Sequence, residues 1–310
     1  MRDDLIPVDL PTTPALVVGG RRFDAGRPAV MAIVNRTRDS FYVTAGADAL
    51  DTALDALADA VASGADIVDV GGVRAGQQGE WVDAATEIAR VRPFLAAARE
   101  RFPDLVLSLD TWRSEVLDAC AHVRVDLVND TWAGADPDLV HGAAAIGAGY
   151  VVSHTGGLPP RTDPVDVSYG DDPDDVVRSV LEGLRAGAAR AVAAGVRPDA
   201  VLIDPTLDFG KTTRHSLRVL RATAAVAGLG YPVLQAISRK DFVGETLDLP
   251  ADERLEGSLA ATAVAAWLGA TVFRTHDVRA TRRVLDMVAS IRGDRPPARA
   301  VRGEPVSRRR

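Results

Sequence analysis

The stretch from Val201 to Lys211, VLIDPTLDFGK, places a carboxylate and a cation shortly after an apolar run. The run has the length and composition of a strand buried on both faces, as in a parallel sheet. Asp204 then lies at the carboxyl end of the strand, where active sites of parallel α/β folds gather. Pro205 ends the strand because it has no N–H for the ladder, and Lys211 follows in the loop. The alternative interpretation is that Asp-Pro is only a strand terminator and Lys211 a solvated charge.

The use of lysine is the second chemical signal. The chain contains 36 Lys and Arg residues, but only Lys211 and Lys240 are lysines. Both follow strand-like runs, in DFGK and in ISRK. Arg and Lys differ in donor geometry and hydration, so a site that needs a compact ammonium cannot accept Arg. We therefore predict a role for both lysines at one site.

Polar or charged side chains end each of eight strand-like runs. They are Asn35, Asp69, Asp110, Asn129 with Asp130, His154, Asp204, Ser238 to Lys240, and Arg274 with His276. In a parallel barrel these strand ends converge on one mouth. Any one of them could instead cap the following helix, but a set with one Lys, two Arg and two His exceeds what capping needs. The pattern predicts a binding site at this mouth.

The residue types indicate which ligands suit the site. Buried carboxylates and an Asn amide match a polar heterocycle with several N–H donors, since the amide both donates and accepts. Guanidinium groups stack on flat rings, and Lys, Arg and His together suit phosphate oxygens. No Cys/His cluster has the spacing of a zinc site, and no G-x-S-x-G nucleophile elbow is present. Mg²⁺ bound with a diphosphate would need only one or two protein oxygens.

The elements that must position these residues alternate between strands and helices. After a first strand, RPAVMAIVN, we predict strands at 66–72, 106–111, 127–131, 150–154, 201–205, 232–237 and 271–277. The helices between and after them are predicted at 45–63, 83–101, 113–122, 136–146, 172–194, 212–225 and 253–268, with a last helix ending at 291. Eight such units match a closed (β/α)8 barrel. An open doubly wound sheet is the rival, but no G-x-G-x-x-G opens a helix after the first strand. The segments ALVVGG and RPAVMAIVN flank a polar GRRFDAG turn, which predicts a β-hairpin that leads into the first main strand and plugs the barrel bottom.

Composition limits the class of protein. The 310 residues carry a net charge of −7, and from Arg292 to Arg310 seven Arg against one Asp and one Glu leave +5, so the body is −12. We predict an extension at 1–14, one barrel at 15–292 and a basic disordered tail at 293–310. The acidic body argues against nucleic acid as a partner. No apolar run is long enough to span a membrane, no signal peptide is recognisable, and the single Cys120 fits the reducing cytoplasm.

Taken together, the motifs resemble dihydropteroate synthase along nearly the whole chain. They are MAIVNRTRDSF, DIVDVGG, LSLDT, LVNDT, IDPTLDFGK, ISRKDFVG and FRTHDV, in that order. That family joins 6-hydroxymethyl-dihydropterin diphosphate to p-aminobenzoate, releases pyrophosphate, and forms homodimers through late helices of the barrel. The resemblance implies a pterin ligand, p-aminobenzoate or sulfa-type analogues as further ligands, Mg²⁺ as the cofactor and a second copy of the chain as partner.

The resemblance also assigns roles to individual residues. Pterin binding is implied for Asp110, Asn129, Asp204, Lys240 and Arg274, with Arg274 stacked on the ring. Diphosphate binding is implied for Asn35, Arg274 and His276, with Asn35 also the Mg²⁺ ligand. The catalytic residues implied are Lys240, Arg274 and His276.

The chain departs from the family pattern in its loops. The first βα loop reads NRTRDSFYVTAG, with Arg38 in place of a Pro and without a D-G-G turn. The second reads GGVRAGQQG and lacks the family's S-T-R-P run, for which Arg74 is a stand-in at a different spacing. Thr206 and Asp208 stand where the family carries glycines. The combination of matching strand-end motifs and altered loops resembles the divergent second paralogue of actinobacteria, which is thought to be inactive.

Three functions therefore compete. The first is a working synthase with unusual loops, and the second is a pterin binder of weak or no synthase activity. The third is a folate-dependent methyl-transfer barrel, which the DFGK and SRK motifs disfavour. Because the altered loops are those that close over the substrates, we expect the second.

Overall fold

The computed structural model describes residues 13–35, 47–74, 81–162 and 167–302, and its core is a barrel of parallel strands. The strands are β1 Leu16–Val18, β2 Arg21–Phe23, β3 Ala29–Asn35, β4 Ile67–Gly71, β5 Val106–Asp110, β6 Leu127–Asp130, β7 Gly149–Ser153, β8 Val201–Asp204, β9 Leu234–Ala236 and β10 Val272–Thr275. Strands β3 to β8 pair in sequence order, and β10 lies between β3 and β9. A parallel bridge between Ile203 and Val233 joins β8 to the start of β9 and closes the ring. The predicted (β/α)8 barrel is confirmed, and the open sheet is excluded.

Helices cover the outside of this barrel. They are α1 Ala47–Ala62, α2 Ala84–Arg101, α3 Ser114–Ala119, α4 Asp138–Ala145, α5 Asp175–Ala193, α6 Thr213–Arg221, α7 Thr223–Ala227, α8 Asp241–Leu247, α9 Leu255–Trp267 and α10 Val278–Arg292. One core layer lies between these helices and the outward faces of the strands. Within the described part of the chain, no helix is both long and apolar enough to cross a membrane.

Two helical segments differ from the sequence prediction. The helix predicted at 212–225 is broken at Ala222 into α6 and α7. The hydroxyl of Thr223 donates to the Leu220 carbonyl at 2.6 Å and accepts from the buried Gln235 amide at 3.2 Å. A tertiary partner on β9 therefore sets the break, which local periodicity cannot reveal. The segment after Lys240, for which no helix is predicted, forms α8.

The hairpin of β1 and β2 plugs the bottom of the barrel, as predicted. Leu16, Val18 and Phe23 are buried in a second apolar cluster with inward residues near the amino ends of the barrel strands, Met31 and Ile67 among them. The turn differs from the prediction, because it is only Gly19–Gly20, both at positive φ, while Arg21–Phe23 forms the second strand. Phe23 reaches the apolar cluster only if its segment is a strand. The burial of Phe23 therefore favours a strand, although most residues of GRRFDAG are polar or glycine.

A single buried carboxylate fastens the hairpin to the barrel bottom. Asp66, 3% exposed, receives bonds from Arg21 at 2.8 Å, Arg27 at 3.1 Å and Arg282 at 2.6 Å. These guanidinium groups come from β2, from the segment before β3, and from α10. One carboxylate therefore connects the hairpin region to the last helix. The predicted tail at 293–310 begins with residues bonded to α10, since Arg295 pairs with Asp286 at 2.6 Å. Residues 303–310 of the predicted tail and residues 1–12 of the predicted extension lie outside the described residues.

Candidate active site

The centre of the barrel mouth is a guanidinium held between two carboxylates. Arg274, near the end of β10, donates through Nε to Asp69 Oδ2 at 2.6 Å and through Nη2 to Asp110 Oδ2 at 2.7 Å. Asp69 is fully buried, and the Arg274 side chain is 20% exposed. All three side chains point inward because they share strand parity with the inward apolar residues Ile67, Val106 and Val272.

Asp69 organises the floor of the site. Besides Arg274, it accepts from the Ser108 hydroxyl at 2.6 Å and from the Asn129 amide nitrogen at 3.0 Å. The bond with Asp69 fixes the amide orientation of Asn129, so its oxygen faces away from Asp69. Sequence reasoning noted Asp69 as a strand end but assigned it no role. A charged residue inside the apolar run DIVDVGG was the signal that could have identified it.

Asp110 is the second floor carboxylate and lies beside Asn129 in the register of β5 and β6. Its Oδ1 accepts from the Thr131 hydroxyl at 2.9 Å, and its Oδ2 accepts from Arg274. Burial first, and then the charge of Asp69, raise the pKa of Asp110 to about 7, although Arg274 opposes the shift. This carboxyl can therefore act as either donor or acceptor near neutral pH.

Asp204 and Lys240 occupy the opposite side of the mouth. Asp204 is 5% exposed, and its Oδ1 accepts from the Thr206 main-chain N–H at 2.7 Å. Burial raises the pKa of Asp204 against the opposing charge of Lys240. The Lys240 ammonium donates to the Leu207 carbonyl and lies 5.0 Å from the centre of the Phe209 ring. Burial lowers the pKa of Lys240, which Asp208 and Asp204 partly offset.

Aromatic side chains line this side of the site. Trp132 is 3% exposed and packs edge-on against Phe209, with ring centroids 5.4 Å apart. Phe209 in turn lies under Lys240, so the ammonium faces a ring as well as a carbonyl. This part of the chain therefore combines carboxylates and an amide on the floor of the mouth with aromatic side chains beside the lysine.

The predicted diphosphate residues lie at the rim. Asn35 is the last residue of β3 and is half-buried, and His276 is exposed just beyond β10. The Nδ1 atom of His276 is 3.2 Å from the Ser238 hydroxyl. Beside it, Arg239 forms two bonds to Asp277, at 2.9 and 3.1 Å. Arg38 and the rest of the first loop at 36–46, with 75–80 of the second, lie outside the described residues.

Two strand-end residues expected at the mouth face the helices instead. Asp130 accepts from the Tyr150 hydroxyl at 2.6 Å and from the main-chain N–H of Gly134. His154 bonds Ser179 of α5 at 3.0 Å, and burial followed by the Lys211 charge lowers its pKa to about 3. The expectation that every strand end converges was wrong for these two, because adjacent residues on a strand point to opposite faces.

Lys211 also departs from the expectation of a cation aimed at the open mouth. It is 2% exposed, and its ammonium donates to the main-chain carbonyls of His154, Thr206 and Phe209. Its charge is therefore used within the protein rather than offered to a ligand. By contrast, Asp110, Asn129 and Arg274 are joined by hydrogen bonds through Asp69. The charge of Arg274 also acts on Asp204 and Lys240, so these five side chains lie near one another at the mouth.

Replacing Asp110 by Asn should change the pH dependence of stability. The folded-state pKa of Asp110, about 7, lies above its ordinary value of 3.8. The stability that the neutral carboxyl contributes is thus complete at low pH and is lost as pH rises through about 7. Asn cannot ionise, so the stability of Asp110→Asn relative to the wild type should increase between pH 5 and pH 8 by about 2 kcal/mol.

Urea denaturation of both proteins at the two pH values measures this difference. Asp199→Asn is the matched control, because it makes the same substitution at an exposed partner of Arg197 away from the barrel mouth. A difference between Asp110→Asn and wild type that stays constant from pH 5 to pH 8 would contradict the assigned protonation of Asp110.

Comparison with known proteins agrees with this geometry. A family described as pterin binding enzyme matches residues 31–276. The inactive dihydropteroate synthase 2 of Mycobacterium leprae is 55% identical over 285 residues, which cover 92% of this chain and 97% of the relative. This identity confirms the predicted resemblance to the divergent paralogue.

Solved structures show the same relationship. A Yersinia pestis dihydropteroate synthase in complex with a sulfonamide drug has a TM-score of 0.81 at 32% identity, covering 90% of this chain and 99% of the other. The Clostridium difficile enzyme, solved with pteroic acid, has a TM-score of 0.79 at 29% identity, covering 87% and 98%. With a family match over residues 31–276 and a relative that is 55% identical over 92% of this chain's length, the chain belongs to the pterin-binding dihydropteroate synthase family.

Proposed function

We propose that the protein binds a pterin in the barrel mouth and has weak or no synthase activity. The observation that supports this most directly is the half-buried Asp110 with the buried Asn129 and Asp204, near Lys240 and Arg274. A pterin has a donor edge, which carboxylates accept, and ring nitrogen and oxygen acceptors, which an ammonium or amide can meet. The solved relative that contains pteroic acid supports the same ligand class.

Arg274 must rearrange when the pterin enters. The Arg274 guanidinium bonds both Asp69 and Asp110, so it must leave one of them in order to stack on a ring. If Nη2 leaves Asp110 while Nε stays on Asp69, the guanidinium remains anchored and can lie flat over the ring. Asp69 therefore acts as the pivot of the proposed stacking residue.

At the rim, we assign the diphosphate to His276, Arg274 and Asn35. Among the described residues, no three His, Cys, Asp or Glu side chains form a metal site. The side-chain oxygen of Asn35, at the end of β3, suits an ion that brings most of its ligands as diphosphate oxygens and water. We therefore propose that Mg²⁺ binds together with the diphosphate. We also propose the cytoplasm as the compartment, because its reducing conditions fit a chain with a single cysteine.

The reaction of the family requires more than the floor of the site. The bond from the pterin methylene carbon to the diphosphate oxygen breaks, and the electron pair leaves with pyrophosphate. The p-aminobenzoate nitrogen then bonds to that carbon and loses a proton. Catalysis depends on donors fixed at the leaving group and on a closed site that holds the amine. In this chain the first two loops, expected to provide both, lack the D-G-G turn and the S-T-R-P run.

We also propose a homodimer through α9 and α10. Val264, Met287 and Ile291 are 50%, 61% and 59% exposed, which is unusual for large apolar side chains. Arg292 donates to the Ala266 carbonyl at 3.2 Å, so the ends of both helices, with these side chains, lie close together. A second copy of the same face would cover them. Light scattering at micromolar concentration should give twice the chain mass, and a monomer would refute the proposal.

Binding of 6-hydroxymethylpterin should stabilise the protein. At a concentration near 100 Kd a ligand specific to the folded state adds about 2.7 kcal/mol, or roughly 4 °C in Tm. Asp204→Asn should lose at least about thirtyfold in affinity, because the neutral amide no longer accepts from the donor edge as a carboxylate does. Thermal shift and calorimetry measure both effects.

Asp199→Asn is the control for this experiment, since Asp199 lies at the opposite end of β8 and is exposed. It should bind as the wild type does. An unaltered thermal shift in Asp204→Asn would refute the assignment of Asp204 to the pterin.

Synthase turnover should be at least about 10²-fold below that of an ordinary family member, because losing one donor at a developing anion typically costs 10²–10³ in rate. The assay is incorporation of p-aminobenzoate with the pterin diphosphate and Mg²⁺, beside the Yersinia pestis enzyme. Lys240→Met shows whether any residual rate arises at this site. A rate within tenfold of the reference would contradict the proposal of weak or no activity and would support a working synthase.

A further inference from the structure

The turn from Thr206 to Phe209 lies between the only two lysines of the chain. Lys211 Nζ donates to the carbonyls of Thr206 at 3.1 Å, Phe209 at 2.9 Å and His154 at 2.7 Å. Lys240 donates to the carbonyl of Leu207, inside the same turn. Three of the four carbonyls of the turn are therefore held by ammonium groups, and Lys211 also joins the turn to the end of β7.

The contacts of Lys211 explain why this position is not an arginine. Its three donors are directed at three carbonyls around one buried nitrogen atom, and a planar guanidinium cannot reproduce that tetrahedral arrangement. Burial, and then the charge of Lys240, lower the pKa of Lys211 to about 7. The three carbonyls favour the ammonium against this shift, at a site where an apolar side chain of similar length would avoid the cost of desolvation.

The turn that Lys211 holds is strained. Thr206 and Asp208 have φ values of 52° and 67°, in the left-handed region that glycine adopts without a Cβ penalty. Their side chains form bonds that glycine would lack. Thr206 Oγ1 accepts from the His154 N–H, and Asp208 accepts from Ser216 and from the Phe242 N–H at 3.2 Å. Such a conformation persists only where several contacts over-determine it.

The same turn orients the proposed pterin site from three directions. The Thr206 N–H bonds Asp204 Oδ1, the Leu207 carbonyl bonds Lys240, and the Phe209 ring packs against Trp132. Displacing the peptides of this turn would move the carboxylate, the ammonium and the aromatic wall together.

We propose that Lys211 is a positioning residue that locks the Thr206–Phe209 turn and thereby sets the geometry of Asp204 and Lys240 for a planar heterocyclic ligand. Lys211 itself does not touch the ligand in this scheme. The inference rests on the proposed pterin site, and it goes beyond that proposal by assigning ligand affinity to a residue whose own bonds are all to the main chain.

The test compares Lys211→Met, which removes the charge, with Lys211→Arg, which keeps the charge but not the tetrahedral geometry. Arg214→Met is the matched control, because Arg214 is an exposed cation three residues away. Calorimetry with 6-hydroxymethylpterin, well below each Tm, should show at least a tenfold weaker Kd for both Lys211 variants and a change under twofold for Arg214→Met. If Lys211→Met does not fold, Lys211→Arg carries the comparison.

Two further measurements separate positioning from stability. Amide hydrogen exchange should accelerate over 205–212 in the Lys211 variants without ligand. Trimethylamine N-oxide, which raises Tm by exclusion from the protein surface, should restore Tm but not affinity. Recovery of affinity together with Tm, a Kd within twofold of wild type, or unchanged exchange over 205–212 would each overturn the inference. If the wild type does not bind the pterin, the proposed function fails, and the exchange rates still decide whether Lys211 locks the turn.

Discussion

The site depends on the bond network in which Arg274 spans Asp69 and Asp110. Two carboxylates buried in one barrel repel each other, and the guanidinium between them makes their proximity tolerable. Asp69 then fixes Ser108 and Asn129, so four strands share one hydrogen-bonded centre. Because removal of one partner leaves a buried charge uncompensated, this network is also the most sensitive point of the fold.

Two ends of the barrel use the same physical solution for different purposes. At the bottom, Asp66 accepts hydrogen bonds from three guanidinium groups and holds the hairpin against the barrel. At the mouth, the carboxylates outnumber the single guanidinium, which leaves acceptors for a ligand once Arg274 turns. The balance of acid and base, rather than the presence of ion pairs, distinguishes a structural end from a binding end.

Pterin binding and synthase turnover depend on different parts of the chain. The floor residues come from strands, whose positions are set by the barrel, while leaving-group donors and closure belong to loops that diverge in sequence. A scaffold can therefore retain a pterin pocket after the catalytic loops have changed, which accords with the high identity to a relative named as inactive. In the turn at 206–209, Thr206 and Asp208 adopt positive φ values at positions where the family pattern carries glycines.

The sequence by itself determined the barrel, because eight apolar runs alternating with periodic segments allow few other arrangements. It also determined the grouping of Asp110, Asn129 and Asp204, since strand ends of a parallel barrel must meet. Only the tertiary structure decided which face each polar residue takes: Asp130 follows Asn129 directly, yet it points to the helices, because strand parity depends on register rather than on residue type. Likewise, Lys211 and Lys240 look equivalent in sequence. In the structure Lys211 donates to three main-chain carbonyls and Lys240 donates to one. The sequence could not reveal this difference, because the carbonyls are brought to the lysines only when the turn folds.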